Sequence, residues 1–174
     1  PLMNPDGVEH GHWRSNLGGV DLNRDWRAFS QPETQAVSDF LAKTGRQPGA
    51  VPFFFVDFHS TSSNVFYTQP DGLEMKPYDF ARRWLSQTCE RVPKFKVWRD
   101  AGHNAGVATS KAWANDTFHI PAITCEFGYS TDRDEIRRFS KVAAEEMMKL
   151  LLAELEKPFA RPSAVATTPA EMKG

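Results

Sequence analysis

The sequence of 174 residues has little cysteine, no long apolar run and almost no net charge. Two cysteines, Cys89 and Cys125, cannot build a disulfide framework, which predicts either a reducing compartment or two buried thiols. No apolar run approaches the ~20 residues of a membrane span, and no signal-peptide pattern opens the chain. The net charge of −1 argues against a nucleic-acid-binding protein, which needs a basic excess. We therefore expect a cytoplasmic protein with neither nucleic acid nor membrane as a partner.

Two further absences concern catalysis and completeness. Serines surround His59, but the Gly-x-Ser-x-Gly elbow of serine hydrolases is absent. The chain begins at Pro1 without an initiator methionine, so we expect a fragment or a processed form that lacks an N-terminal portion.

The 13 phenylalanines and 5 tryptophans, by contrast, predict a thick aromatic core. Apolar runs at both parities, or in alternation, predict strands at 51–58, 65–68, 95–98 and 121–127. Apolar residues at helical spacing predict helices near 32–45, 76–91 and 136–157, and residues 107–118 are expected to form a short helix or a turn. This alternation indicates an α/β fold with a central mixed, largely buried β-sheet flanked by helices.

Two helices carry specific expectations. Ser30 and Glu33 have the spacing of a capping box, and the helix that they begin is expected to bury Val37, Phe40 and Leu41. The last helix carries a long apolar stripe and ends before Pro158. We expect one domain over 1–157 and a mobile or surface-lying tail over 158–174, which is rich in proline, alanine and threonine.

His59 and Glu126 are the candidate catalytic residues because each lies at the C-terminal end of a buried strand, where sites of α/β sheets gather. His59 is a candidate metal ligand or general base; the alternative is a histidine bonded to a backbone carbonyl at the edge of the core. Glu126 is a candidate general base whose pKa a semi-apolar pocket would raise. The alternative is a solvated carboxylate at the end of a strand.

Arg14 and Arg24 lie in an N-terminal segment rich in glycine, asparagine and aspartate. Arg24 stands between Asn23 and Trp26, which would restrict its rotamers and favour bidentate binding of a carboxylate. The alternative is that both arginines are solvated.

These segments together resemble the zinc carboxypeptidase family. The resemblance covers about residues 4–150 and rests on NPDG at 4–7, HWR at 12–14, GVDLNRDW at 19–26, DFHS at 57–60 and ITCEFG at 123–128. NVFYT at 64–68 is similar to the cytosolic-type, deglutamylating branch. The resemblance implies a zinc metallopeptidase that hydrolyses a C-terminal peptide bond.

The resemblance also implies a role for individual residues. His59 would be a zinc ligand, and Asp21 would orient a zinc-bound histidine as an outer-shell partner. Glu126 would be the catalytic base, and Arg14 would polarise the scissile carbonyl. Asn23 and Arg24 would bind the terminal carboxylate of a peptide.

The sequence departs from the family pattern in three places. The family's His-x-x-Glu motif, which supplies two zinc ligands, is absent, so these ligands are expected upstream of Pro1 and this chain alone is expected to be inactive. Asn104 stands where the family has a substrate-contacting tyrosine. Asp25 follows Arg24 where the digestive enzymes carry asparagine, which would shift the charge balance of the carboxylate site.

When the chain is aligned to the family on Trp113 and Glu126, Lys111 falls at the position of the residue at the base of the pocket for the last side chain of the substrate. A lysine there would favour an acidic C-terminal residue, unless it is simply a solvated lysine on a short helix. Two alternative functions remain open: hydrolysis of N-acyl amino acids by a succinylglutamate desuccinylase or aspartoacylase type of enzyme, and a non-catalytic binding domain that has lost its metal.

Overall fold

The computed structural model describes residues 2–44 and 52–156, in which four strands form one mixed sheet. The strands are β1 (Phe55–Thr61), β2 (Val65–Thr68), β3 (Trp98–Ala101) and β4 (Ala122–Gly128). Their order across the sheet is β1-β4-β2-β3. Strand β4 is parallel to β1 and antiparallel to β2, and β2 is parallel to β3. The predicted α/β fold with a central mixed sheet is confirmed.

Five helices accompany the sheet in this part of the chain: α1 (Pro5–Glu9), α2 (Pro32–Thr44), α3 (Phe80–Arg91), α4 (Ser110–Phe118) and α5 (Arg133–Leu155). A short 3₁₀ turn covers Leu22–Arg24. Helices α3 and α5 pack against each other, and α4 packs against β1 and β4. Among the described residues, no helix is long and apolar enough to cross a membrane.

One side of the sheet forms the aromatic core, and we call it the helix-covered face. Phe66 of β2 and Ile123 of β4 are fully buried there, in one cluster with Trp84 of α3 and Phe139 of α5. The rings of Phe66 and Phe139 meet edge to face, with 5.6 Å between their centroids. The aromatic residues therefore build the core that their number predicted.

Burial differs between the two strands that were expected to be buried on both faces. Strand β4 lies inside the sheet, and its residues 122–125 are all buried. Strand β1 lies at the sheet edge, where Phe58 is 70% exposed, so the expectation was wrong for that residue. The predicted range also included Val51, which lies outside the described residues.

Two predicted boundaries were wrong for local reasons. Helix α3 begins at Phe80 rather than near Lys76, because Asp79 has a left-handed backbone (φ 58°) that interrupts a helix. Strand β3 begins at Trp98 rather than Phe95. The amide of Phe95 instead donates to the carbonyl of Val92 in a turn after α3, and the Phe95 ring packs into the core.

The expected capping box of α2 is not formed. Ser30 donates its hydroxyl to Asp25, and Glu33 accepts a hydrogen bond from Asn16 at 3.2 Å. The predicted apolar face was also wrong in part, because Phe40 is 66% exposed.

Helix α5 follows its prediction, with its apolar stripe buried at residues 139, 143 and 150. The predicted tail at 158–174 lies outside the described residues.

Candidate active site

The opposite side of the sheet carries polar residues, and we call it the polar face. His59 of β1 lies directly opposite Glu126 of β4 in the parallel register. Asp57 shares this face with His59 because side chains along a strand alternate. The structure therefore brings His59 and Glu126 side by side near the C-terminal ends of two parallel strands.

The imidazole of His59 is held by a carboxylate. Its Nε2 lies 2.9 Å from Oδ2 of Asp57, and the side chain of Asp57 is only 17% exposed. Burial disfavours the charged imidazolium, but the hydrogen bond and charge of Asp57 outweigh it and raise the pKa of His59. The alternative of a histidine bonded to a backbone carbonyl is therefore wrong.

The second ring nitrogen of His59 remains available. Its Nδ1 has no hydrogen-bond partner within residues 2–44 and 52–156. A histidine that gives one nitrogen to a carboxylate and keeps the other free has the arrangement typical of a metal ligand. His59 therefore fits a metal-binding role, although the described residues contain no group of three or more histidine, cysteine, aspartate or glutamate side chains that could hold a metal ion.

Glu126 carries an unsatisfied carboxylate oxygen. Its Oε2 is buried and accepts no hydrogen bond from the described part of the chain. Burial raises the pKa of Glu126, and the positive charges of His59 and Arg14 oppose the increase only in part. A half-buried carboxylate with a raised pKa and a free acceptor atom is suited to accept a proton from a substrate or from water.

Arg14 approaches this carboxylate from the N-terminal segment. Its Nη1 lies 3.4 Å from Oδ2 of Asp21, and its side chain remains 59% exposed. Its positive charge lowers the pKa of Glu126, so the two side chains interact electrostatically. Asp21 itself accepts a hydrogen bond from the amide of Asn23 at 2.9 Å, and its charge contributes to the raised pKa of His59.

Asn23 and Arg24 lie on the 3₁₀ turn beside α4. Oδ1 of Asn23 accepts a hydrogen bond of 2.9 Å from the amide of Ser110, the first residue of α4. The exposed guanidinium of Arg24 donates to the carbonyl of Asn23 at 2.8 Å. Arg24 is therefore restrained by this hydrogen bond, while Trp26 is buried against Trp113 with 5.0 Å between ring centroids.

The carboxylate of Asp25 is directed to the start of α2, and its expected effect on the charge balance of the carboxylate site stays a prediction. Asp25 is 3% exposed and accepts four hydrogen bonds, from the amides and hydroxyls of Ser30, Gln31 and Thr34. Burial alone would raise its pKa, but the hydrogen bonds lower it to about 2. Asp25 thus anchors the start of α2 to the turn that carries Asn23.

Lys111 is buried on α4, so the alternative of a solvated lysine was wrong. Its Nζ donates to the carbonyls of Thr68 and His103, both at 3.0 Å. Burial lowers the pKa of Lys111 to about 8. The His103 ring stacks on Tyr67 at 4.0 Å, and Asn104 follows it on the same loop with a left-handed backbone (φ 57°).

Sequence reasoning placed Asp57 beside His59 at the end of a strand but gave it no role, and it missed Ser110. The signal for Asp57 was its spacing of two residues from His59 on a strand, which places both on one face. Ser110 carried no such signal, although its hydroxyl donates to the same Asp57 oxygen that binds His59.

A model of the zinc carboxypeptidase family matches residues 1–149 of the chain. Two similar relatives are cytosolic carboxypeptidase 6 of Caenorhabditis elegans, 40% identical over 65 residues, and cytosolic carboxypeptidase 4 of Mus musculus, 42% identical over 74 residues. These segments are 36% and 38% of this chain but only 14% and 6% of the relatives.

The fold is similar to that of a solved metallo-carboxypeptidase from Burkholderia cenocepacia. The TM-score is 0.64 at 20% sequence identity, and the match covers 89% of this chain and 44% of the other. The chain thus spans less than half the length of that structure.

Proposed function

Because the chain belongs to the zinc carboxypeptidase family, we propose that it is part of an enzyme that hydrolyses C-terminal peptide bonds. The chain would supply the general base, the group that stabilises the oxyanion and the site that binds the terminal carboxylate of the substrate. The observation that carries this proposal is the pairing of Glu126, with its free buried oxygen, and His59, with its ring fixed by Asp57. The relatives are named cytosolic carboxypeptidases, and we propose the same compartment for this protein.

Glu126 acts as the general base in this proposal. It takes a proton from the attacking water and delivers it to the leaving amine as the peptide bond breaks. Its raised pKa supports both steps, because a carboxyl group whose pKa is closer to neutral pH accepts and returns a proton more readily. Arg14, whose charge acts on Glu126, would stabilise the negative charge that develops on the carbonyl oxygen.

His59 would be one zinc ligand, held in orientation by Asp57. Zinc, when bound, lowers the pKa of water and polarises the carbonyl. A catalytic zinc site needs three protein ligands. We propose that the other two come from outside these 174 residues, so that this chain alone binds zinc weakly and is inactive.

Asn23 and Arg24 would bind the terminal carboxylate of the peptide. Oδ1 of Asn23 is occupied by the Ser110 amide, so its Nδ2 is the group left to donate to a substrate. The exposed guanidinium of Arg24 uses Nη1 for the carbonyl of Asn23 and keeps its other donors for a carboxylate. Both groups are donors, as recognition of an anion requires.

Lys111 would favour a substrate with an acidic last residue. Two of its three ammonium donors bind the backbone carbonyls of residues 68 and 103, which leaves one for a ligand. An apolar substrate offers that donor no acceptor, whereas a carboxylate offers both an acceptor and an opposite charge.

The test is Glu126→Gln in the intact protein, because the amide keeps the shape of the side chain and loses the proton acceptor. We expect kcat to fall by about 10²- to 10⁴-fold while one zinc remains bound. Glu135→Gln, at an exposed position on α5, is the matched control and should keep full activity. Near-normal turnover by Glu126→Gln would refute its role as the base.

Substrate choice separates the proposal from its alternatives. Peptides should be cleaved and N-acyl amino acids should not, and the reverse result would identify the amidohydrolase alternative. A protein that binds peptides but cleaves neither class, even with zinc added, would be the non-catalytic alternative.

A further inference from the structure

Ser110 occupies the point where three parts of the candidate site meet. It is the first residue of α4 and is 1% exposed. Its amide donates to Oδ1 of Asn23 at 2.9 Å, and its hydroxyl donates to Oδ2 of Asp57. The same Asp57 oxygen lies 2.9 Å from Nε2 of His59. A continuous chain of hydrogen bonds therefore runs from the turn at residues 22–24 to the histidine on β1.

The hydroxyl of Ser110 restricts the Asp57 carboxylate. A carboxylate with one donor can rotate about its terminal torsion, which is broad and shallow. Two donors that approach one oxygen from different elements, β1 and α4, define that torsion. The orientation of the Asp57 carboxylate in turn fixes which ring nitrogen of His59 is protonated.

We propose that Ser110 is a positioning residue that acts on His59 through Asp57. It keeps the His59 ring in the tautomer that leaves Nδ1 free, and it fixes the distance between this ring and the turn that carries Asn23. This inference rests on the proposed role of His59 as a metal ligand. The inference adds Ser110 to the groups that define the geometry of the site, although Ser110 would bind neither the metal nor the substrate.

A matched pair of hydroxyl deletions separates positioning from simple stability. Ser110→Ala removes the donor to Asp57 and keeps the backbone amide that binds Asn23. Thr109→Ala removes the neighbouring buried hydroxyl, which caps α4 by accepting from the amide of Ala112 at 3.2 Å. Loss of such a cap destabilises a helix by about 1 kcal/mol without touching Asp57.

The first readout is the affinity of the intact protein for zinc, measured by competition with a chelator. Removing an outer-shell partner of a metal-bound histidine weakens metal binding by about 10- to 100-fold, so we expect about tenfold for Ser110→Ala. Thr109→Ala should change the affinity less than twofold, and Ser110→Thr, which keeps a hydroxyl, should restore it. Equal affinities for Ser110→Ala and Thr109→Ala would overturn the inference.

The second readout does not depend on metal. In metal-free protein at a pH well above the raised pKa of His59, where the ring is neutral, its nitrogen-15 shifts should report one tautomer, protonated at Nε2. Ser110→Ala should move these shifts toward the average of two tautomers. Unchanged shifts in this variant would also overturn the inference. A kcat that falls while KM stays within twofold is expected for Ser110→Ala because the Asn23 contact is retained.

His59→Ala distinguishes this inference from the proposed function. If His59→Ala leaves zinc affinity unchanged, His59 is not a ligand and the proposed metal site is wrong. If His59→Ala abolishes tight binding but Ser110→Ala behaves like Thr109→Ala, the metal site stands and only the role of Ser110 is wrong.

Discussion

The two faces of the sheet use the same strands for opposite purposes. On the helix-covered face, Phe66, Ile123 and Cys125 are fully buried among aromatic rings. Side chains alternate along a strand, so the neighbouring residues lie on the polar face. There, Glu126 keeps a buried oxygen without a hydrogen bond, and His59 keeps a free ring nitrogen. Burial on the first face stabilises the fold, whereas the second face retains polar atoms that cost stability and are available for chemistry.

The largest expected effect on stability comes from the helix-covered face. Phe66→Ala removes a fully buried ring that meets Phe127 and Phe139 at 5.3 and 5.6 Å. We expect the free energy of unfolding, measured with denaturant, to fall by about 3–5 kcal/mol. Tyr67→Ala, at the next residue but on the polar face, should cost less than half as much. Equal losses would mean that the two faces do not differ in packing.

The second prediction concerns Asp25, which fixes the turn beside the polar face. Its folded-state pKa of about 2 lies below the usual value near 4. This difference stabilises the fold by about 2 kcal/mol above pH 4, and the contribution is lost as the pH falls from about 4 to 2. Asp25→Asn should abolish this pH dependence in acid-unfolding curves and lower stability at pH 7 by about 3 kcal/mol.

Asp39→Asn is the control for this measurement, because Asp39 is exposed on α2. It should change stability at pH 7 by less than about 0.5 kcal/mol. If both variants keep the wild-type acid transition, Asp25 is not the group responsible.

The third prediction has the opposite sign. Glu126→Met replaces the unsatisfied carboxylate by an apolar side chain of similar length, so we expect the protein to become more stable by about 1 kcal/mol while losing activity. Glu135→Met, at an exposed position, should change stability by less than about 0.5 kcal/mol. A destabilised Glu126→Met would show that the polar face does not carry the expected cost.

The smallest effect concerns the pH dependence of specificity. Because Lys111 has a pKa of about 8, its charge is present below that pH and is lost above it. The ratio of kcat/KM for C-terminal glutamate over leucine should therefore fall several-fold between pH 7 and pH 9. Lys111→Met should remove both the preference and its pH dependence, and Lys111→Glu should reverse the preference.

Lys141→Met, an exposed change on α5, is the control and should leave the ratio and its pH dependence unchanged. A glutamate preference that persists in Lys111→Glu would exclude Lys111 as the specificity residue.

The parts of the fold that local patterns determine could be predicted from the sequence. Helix α5 and strand β4 follow from their apolar periodicity, and the strand ends place His59 and Glu126 correctly. The capping box failed because Asp25, from the preceding turn, accepts hydrogen bonds from both the Ser30 amide, which Glu33 would have bound, and the Ser30 hydroxyl.

The contacts within the site could not be predicted in the same way. The bond from Ser110 to Asn23 spans 87 residues, and the bond from Ser110 to Asp57 spans 53. Periodicity assigns residues to faces but does not pair residues from different elements. The carbonyl partners of Lys111 could not be predicted for the same reason, since they come from β2 and from the loop after β3.

The position of β1 at the sheet edge has a consequence for handling the protein. Within the described residues, β1 pairs only with β4, so its outer row of N–H and C=O groups is unpaired beside the exposed ring of Phe58. Another extended segment can pair with such an edge through backbone hydrogen bonds, which leads to aggregation. We therefore expect light scattering by solutions of this 174-residue chain to increase with protein concentration because the copies aggregate. Phe58→Lys should shift this increase to higher concentration, because a charge on an edge strand opposes edge-to-edge pairing of copies.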